Sequence, residues 1–458
     1  MMPTVLRTAF RGLALSGLVL LGACGGVGQG IAPKSSVLLP SGGEEGAANF
    51  DAYTCVNTSL ILIVDFSNGA RGDFTSRATW SSADETVARV SNGDIAVPEQ
   101  DGFFYGRGTI VPVGPGTTTI RSSYLDFRNS IQITVSDPTN FKVTPTEADV
   151  AKGAALDLAL SADLGGVSSS LDGFARWAFV TEAPAVATIA SITGTVTGVG
   201  TGGPLTARAR IPGCSLTIAD ATVNVSPLQT LALSKEFSGT DKLAVGTTER
   251  ITATGTLENG KTQDLSGTVT YKAVKSEDNT TASDAATFLV GSLRNLVFAS
   301  KASAAPVNLT ASFSYIIDDG DASTENVSST PVVSPVLAIT PIDATLVNVT
   351  VPRTAADLAP GNSLLLKAVG DYQITAPPSS FSQDITRHVT WSIADADLAT
   401  ATVQGSSGTI NPLAGLVLAS TKAETGKAVV VTATNSNATG NKSATSTITI
   451  DPTEPQEP

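Results

Sequence analysis

Trp80-Ser-Ser-Ala-Asp-Glu-Thr-Val-Ala-Arg-Val90 is the stretch on which the fold is read. It places an aromatic side chain and two hydroxyls before an acidic turn, then closes on an alternating Val-Ala-Arg-Val run that fits a half-buried strand. The pattern returns as Trp177-Ala-Phe-Val-Thr-Glu-Ala-Pro-Ala-Val-Ala-Thr-Ile189 and as Trp391-Ser-Ile-Ala-Asp-Ala-Asp-Leu-Ala-Thr-Ala-Thr-Val403. Tyr271, in Val269-Thr-Tyr-Lys-Ala-Val274, takes the aromatic place in a degenerate copy. The aromatic residues recur 97, 94 and 120 positions apart. That interval suits one β-sandwich of about 100 residues per repeat.

Each repeat ends in a short alternating strand. These are Ile131-Gln-Ile-Thr-Val135, Ala221-Thr-Val-Asn-Val225, the weaker Pro331-Val-Val333, and Ser446-Thr-Ile-Thr-Ile450. Asp137-Pro138, Pro227, Pro335 and Asp451-Pro452 follow them. Proline donates no ladder hydrogen bond, so it ends the last strand and stiffens what comes next. The units expected are 36–137, 138–227, 228–337 (the degenerate one) and 338–452, with a Gly-rich tether over 24–35 and an acidic, Pro-rich disordered tail over 453–458. Units strung on such short junctions are expected to share little core. Aromatic residues are 5% and charged residues 15% of the chain, while Thr, Val, Ala, Ser and Gly dominate. No long 3.6-residue period competes with the strand reading.

The recurring pattern resembles the bacterial Ig-like group 2 domain of intimin- and invasin-type surface proteins. In the first repeat it comprises Leu60-Ile-Leu-Ile-Val64, Trp80-Ser-Ser82, Val87-Ala-Arg-Val90, Gly114-Pro-Gly116 and Thr117-Thr-Thr-Ile120. The last repeat matches well, the second fairly through Gly194-Thr-Val-Thr-Gly-Val-Gly200, and the third poorly. The resemblance implies an all-β chain of tandem immunoglobulin-like β-sandwich domains, and it is nearly silent on ligand because such domains serve as spacers, adhesins and enzyme appendages alike. Trp80, Trp177 and Trp391 are expected to fill the gap between two sheets about 10 Å apart. The resemblance also bears on Cys55 and Cys214. Taken separately these are two isolated thiols in different units. In an Ig-like sandwich, however, the first turn and the last hairpin lie at opposite poles, so the two cysteines face each other across Asp137-Pro138. In an oxidising compartment they are expected to pair.

The first residues differ from all that follow. Arg7 and Arg11 precede an uncharged apolar run over 13–21, too short to span a bilayer as a helix and typical of a signal peptide. It ends in Leu21-Gly22-Ala23-Cys24, which resembles the bacterial lipobox. The resemblance implies cleavage before Cys24, leaving 1–23 as the signal peptide, and acylation (palmitate among the acyl groups) of Cys24. Several acyl chains at about 0.8 kcal/mol per buried CH₂ anchor stably where one does not. Gly25 stands where inner-membrane lipoproteins often carry Asp, so the outer membrane is the expected location, on either the periplasmic or the surface side.

Chemistry is sparse. The 28 basic and 41 acidic side chains give a net charge of −13, and loss of Arg7 and Arg11 makes it more negative, which disfavours nucleic acid as a partner. His388, the single histidine, has no nucleophile elbow or free catalytic cysteine beside it and is expected to be a partly exposed strand residue. No cofactor is required, and no catalytic residue stands out. Asp318, Asp319 and Asp321 around Gly320 form a candidate calcium loop, with Asp395 and Asp397 as a second small cluster. Asp-Gly runs also make ordinary hairpin turns, and full calcium-loop spacing is lacking. Phe103, Phe104 and Tyr105 are three successive rings, a candidate contact for a protein or carbohydrate ligand if exposed and a two-sided buried strand otherwise; burial is the expectation. The function expected is a lipid-anchored cell-envelope stalk or adhesion-type binding protein without catalytic activity. The alternative is a periplasm-facing scaffold or polysaccharide-binding subunit.

Overall fold

The computed structural model describes residues 31–450 apart from 42–44, 237–238, 318–326, 359–362, 376–377, 395–398, 402–414, 420–425 and 438–439. Cys24, the calcium candidates Asp318, Asp319 and Asp321, and the pair Asp395 and Asp397 lie outside the described residues. The architecture is all-β, in four successive sandwiches. Among the described residues no helix is long and apolar enough to cross a membrane.

The first sandwich sets out the plan. One sheet pairs Pro33–Pro40, Thr58–Phe66, Thr109–Pro112 and Ala88–Val90, with Arg71–Asp73 added beside Thr58–Phe66. The other runs Asn49–Tyr53, Phe127–Ser136, Gly116–Tyr124, Thr79–Ser82. Asn49–Tyr53 lies parallel to Phe127–Ser136, the last strand, and every other pair in this sheet is antiparallel. The parallel pair recurs as Glu147–Ala151 on Asp220–Ser226, Lys242–Ala244 on Leu337–Ile342, and Ala355–Leu358 on Gly440–Ile450. Each unit therefore brings its early strand and its last strand to the same pole, where the next unit begins.

Alternation supplies the cores. Leu60, Leu62 and Val64 of one sheet meet Ile131, Ile133 and Val135 of the other, all buried. Trp80, Trp177 and Trp391 lie in the cores of the first, second and fourth sandwiches, at most 3% exposed. The indole N–H of Trp80 donates to the Thr75 carbonyl (3.1 Å), and that of Trp391 to the Thr386 carbonyl (3.0 Å), each five residues earlier. Tyr271 makes the same choice in the third unit, its hydroxyl donating to the Ser266 carbonyl at 3.2 Å. Burial pushes its phenol up to about 12. The indole N–H of Trp177 has no partner among the described residues.

One glycine accompanies each tryptophan. Gly108, Gly194 and Gly415 have φ of 79°, 71° and 85°, and a Cβ on any of them would lie within 2.7 Å of a backbone carbonyl and within 3.3 Å of the indole. Their carbonyls accept from Leu60, Leu158 and Leu366. In the third unit the same hydrogen bond, Ile251 N–H to the Asn295 carbonyl, is kept without a glycine, and the large ring there is tyrosine. Trp and Gly are thus one packing decision, which is why the third copy loses both together.

Candidate functional site

The described polar residues of most structural consequence gather where successive units meet. After each parallel strand the chain makes one turn at the pole. Thr54, Lys152 and Val245 donate to the last carbonyl of their own closing strand (Ser136, Ser226 and Ile342). The following residues, Cys55, Gly153 and Gly246, are in the left-handed region with φ of 67°, 84° and 85°. These three turns are equivalent, and the next unit grips the first by a disulfide and the other two by a glutamine.

At the first joint Cys55 is disulfide-bonded to Cys214, with Cα atoms 4.9 Å apart. Cys214 belongs to the loop between Gly202–Arg210 and Asp220–Ser226, the last hairpin of the second unit. Glu99 and Arg210 form an ion pair across the same joint, and the Arg210 guanidinium holds the Glu99 carboxyl below its usual range. Both side chains are exposed, so the pair adds little stability. A groove of about 260 Å³ lies beside the disulfide, lined by Tyr105, Phe174, Arg176 and Ile211 among others.

Of the rings at 103–105, Tyr105 lines this groove, and the segment is not a two-sided buried strand. Phe103 is 64% and Phe104 56% exposed. Residues 95–105 form their own small loop, closed by hydrogen bonds from Val97 to the Phe103 carbonyl and from Tyr105 to the Ile95 carbonyl, so the segment leaves the sandwich and strand alternation no longer buries it. Tyr105 is half-buried, and its hydroxyl accepts from the Asn57 amide at 2.7 Å.

At the second joint the grip is a buried glutamine. Gln263 accepts from the Ala151 N–H (2.7 Å) and donates to the Ala155 carbonyl (3.0 Å), both in the unit before it. Ala151 and Ala154 belong to the core of the third unit, with Leu231, Leu257, Val269 and Phe313. Tyr315 packs directly on Gly153, where an added Cβ would stand 2.2 Å from the Tyr315 Cβ, and Lys152 lies over its ring at 5.4 Å.

The third joint repeats the device. Gln383, 1% exposed, accepts from the Ala244 N–H (3.0 Å) and donates to the Thr247 hydroxyl (2.5 Å). Ala244 is counted in the core of the fourth unit. Loss of either glutamine would leave a buried amide N–H unpaired, at about 1–3 kcal/mol. His388 adds to this grip from a three-residue 3₁₀ turn, Thr386–His388, and not from a strand. Its Nε2 accepts from the Thr248 N–H at 3.0 Å, which requires the neutral ring with its proton on Nδ1. Burial and the neighbouring Arg387 lower its pKa to about 4. Lys367 and Arg250 both pair with Glu236 on the rim.

Sequence reasoning overlooked Gln263 and Gln383. Each stands eight residues before its aromatic, Tyr271 or Trp391, a recurrence that could have been found. The corresponding positions hold Gly72 in the first unit and Ser169 in the second, whose own grip on the unit before it uses Cys214. The expectation that the units share little core is corrected by Ala151, Ala154 and Ala244. Among the described residues no group of three or more His, Cys, Asp or Glu is placed to hold a metal ion.

No family model matches the chain, so its likeness to the bacterial Ig-like group 2 domain rests on the motifs quoted above. Over 348 residues the chain is 25% identical to Ice-binding protein 1 of Shewanella frigidimarina (strain NCIMB 400), covering 74% of this chain and 33% of that protein. The chain thus spans about a third of the length of the curated relative it matches. Among solved structures, surface layer protein SbsC, domains 4–9, is 14% identical with a TM-score of 0.22, covering 86% of this chain and 61% of its own. The four N-terminal Ig domains of Dscam1 isoform 7.44 are 11% identical with a TM-score of 0.20, covering 92% of this chain and 100% of theirs.

Proposed function

We propose that the chain is a non-catalytic, lipid-anchored stalk of the bacterial cell envelope that holds a binding surface away from the membrane. The observation that carries this reading is the construction of the joints. All three bind the polar turn of one unit to the unit after it, by a disulfide at the first and by a buried glutamine at the other two. Units that are only tethered would take many relative angles, whereas gripped joints hold the chain extended. The units are each about 35 Å long, from strands of roughly ten residues rising about 3.3 Å per residue. Kinship with an ice-binding protein supports an external ligand over an intracellular one.

Cys24 is the anchor in this reading. Cys24→Ala is expected to abolish incorporation of labelled palmitate and to release the chain from washed membranes, since its acyl chains carry the anchoring free energy. Protease added to intact cells is expected to remove the wild-type chain. Retention of the Cys24→Ala protein on washed membranes would refute lipid anchoring. Protection from protease on intact cells, with cleavage only after the outer membrane is opened, would refute the outward-facing stalk and favour a periplasmic scaffold.

A further inference from the structure

The four sandwiches repeat one fold, yet their closing sheets present different outer faces. Alternation assigns those faces directly, because buried and exposed residues alternate along the strands. The first unit shows Arg121, Arg128 and Asp51 there. In the second the face carries Arg176, Arg208 and Arg210 together with Glu147, Asp149 and Asp220. Lys242 and Lys272 mark the third.

The fourth unit is different. On its two long strands, Ala428–Asn437 and Gly440–Ile450, the outward residues include Val430, Thr432, Thr434, Thr445, Thr447 and Thr449. They are in cross-strand register, Thr432 opposite Thr445 and Val430 opposite Thr447. Thr390 and Ser392 of the strand Thr390–Ile393 extend the rows, opposite Thr434 and Thr432. Asp357, at the margin on Ala355–Leu358, is the charged residue on this face among the described residues.

We propose that this outward sheet face of the last unit is an ice-contact surface. Its hydroxyls and methyls repeat about every 6.7 Å along each strand and about every 4.8 Å between strands, a two-dimensional array set by backbone geometry. Water over methyl groups is held in an ordered hydrogen-bonded shell, and a threonine hydroxyl can both donate into that shell and accept from it. A full charge would keep its own hydration shell at a cost to any ordered water layer; among the described residues of this face the charge is confined to Asp357 at the margin, whereas the other three faces carry two or more charged side chains. The same composition argues against other occupants. Among the described residues of this face there is no cation for a phosphate or acidic polymer and no aromatic ring for a sugar to stack on, and Val430, 39% exposed, is the one large exposed hydrophobic residue.

The proposal builds on the reading of the chain as an external binding protein, but its test runs in solution and is independent of anchoring. The purified full chain, fluorescently labelled, is offered to a slowly growing ice hemisphere beside Thr445→Lys, Thr432→Lys and the milder Thr447→Val. Thr134→Lys on the outer face of the first unit serves as control, and thermal melts report folding. Expected is incorporation of wild type and of Thr134→Lys, and exclusion of both lysine variants to the level of a non-binding protein, while Thr447→Val melts as wild type and is reduced. Exclusion of the wild-type chain, or equal incorporation of folded lysine variants, would overturn the proposal. So would a concentration-dependent dimer abolished by Thr445→Lys, which would assign the face to a second copy of the chain.

Discussion

Cys55 and Gly153 hold the same place in successive units, both with positive φ, yet the next unit meets them in opposite ways. Cys55 is bonded to Cys214, whereas Gly153 has no side chain at all and the Tyr315 side chain occupies the space. In both cases the partner comes from the region following the long strand before the unit's closing strand. The position therefore specifies a backbone shape first, and the means of gripping it second. Cysteine in the left-handed region bears a conformational cost that glycine avoids, and the covalent bond offsets it. Gly246 is a third case: nothing stands within 4 Å of a Cβ added there, and Gln383 and His388 hold that joint from the side.

The sharpest way to break this comparison is to add one methyl group to each glycine. Gly153→Ala carries the left-handed penalty and a clash with Tyr315, together about 2–5 kcal/mol. Gly246→Ala, with nearly the same φ and open space, carries only the first part, about 1–2 kcal/mol. Calorimetry of both variants checks the difference. Equal losses would mean that Tyr315 does not rest on the turn.

A smaller effect distinguishes the third joint by pH. The folded His388 ring titrates near 4, against 6.5 for the exposed residue. Between those values the unfolded chain binds the extra proton, so stability falls as pH falls. The contribution is complete above about 6.5 and is gone below about 4, and it amounts to at most about 3 kcal/mol. Arg387 on the same turn is its charged neighbour, and Arg387 in turn lies near Arg250 and Glu236 of the preceding unit and Asp384 of its own. His388→Gln, which keeps an acceptor that does not titrate, is expected to flatten the stability profile between pH 6.5 and 4. An unchanged slope would show that other groups carry it.

Much of the fold was legible because it follows from local rules. The aromatic spacing, the alternating closing strands and the prolines after them each have a direct physical cause within one unit. The Cys55–Cys214 pairing was legible only through strand order in a known architecture. What stayed hidden acts between units. The worth of Gln263 and Gln383 lies in the amide groups of Ala151 and Ala244, more than a hundred residues away. Residues 95–105 did not by themselves decide that Phe103 and Phe104 would leave the sandwich, since three successive rings fit a two-sided buried strand as well as the end of a looped-out hairpin.

The central claim is that every joint is gripped and that only the first depends on a covalent bond. Non-cysteine spin labels at Thr134 and Thr206, at Thr206 and Lys272, and at Lys272 and Ser363 would report distances across the first, second and third joints in the full chain. Three narrow distributions are expected in the oxidised protein, with reductant broadening the Thr134–Thr206 distance alone. Broad distributions at the second and third joints before reduction, or no response at the first after it, would contradict the account.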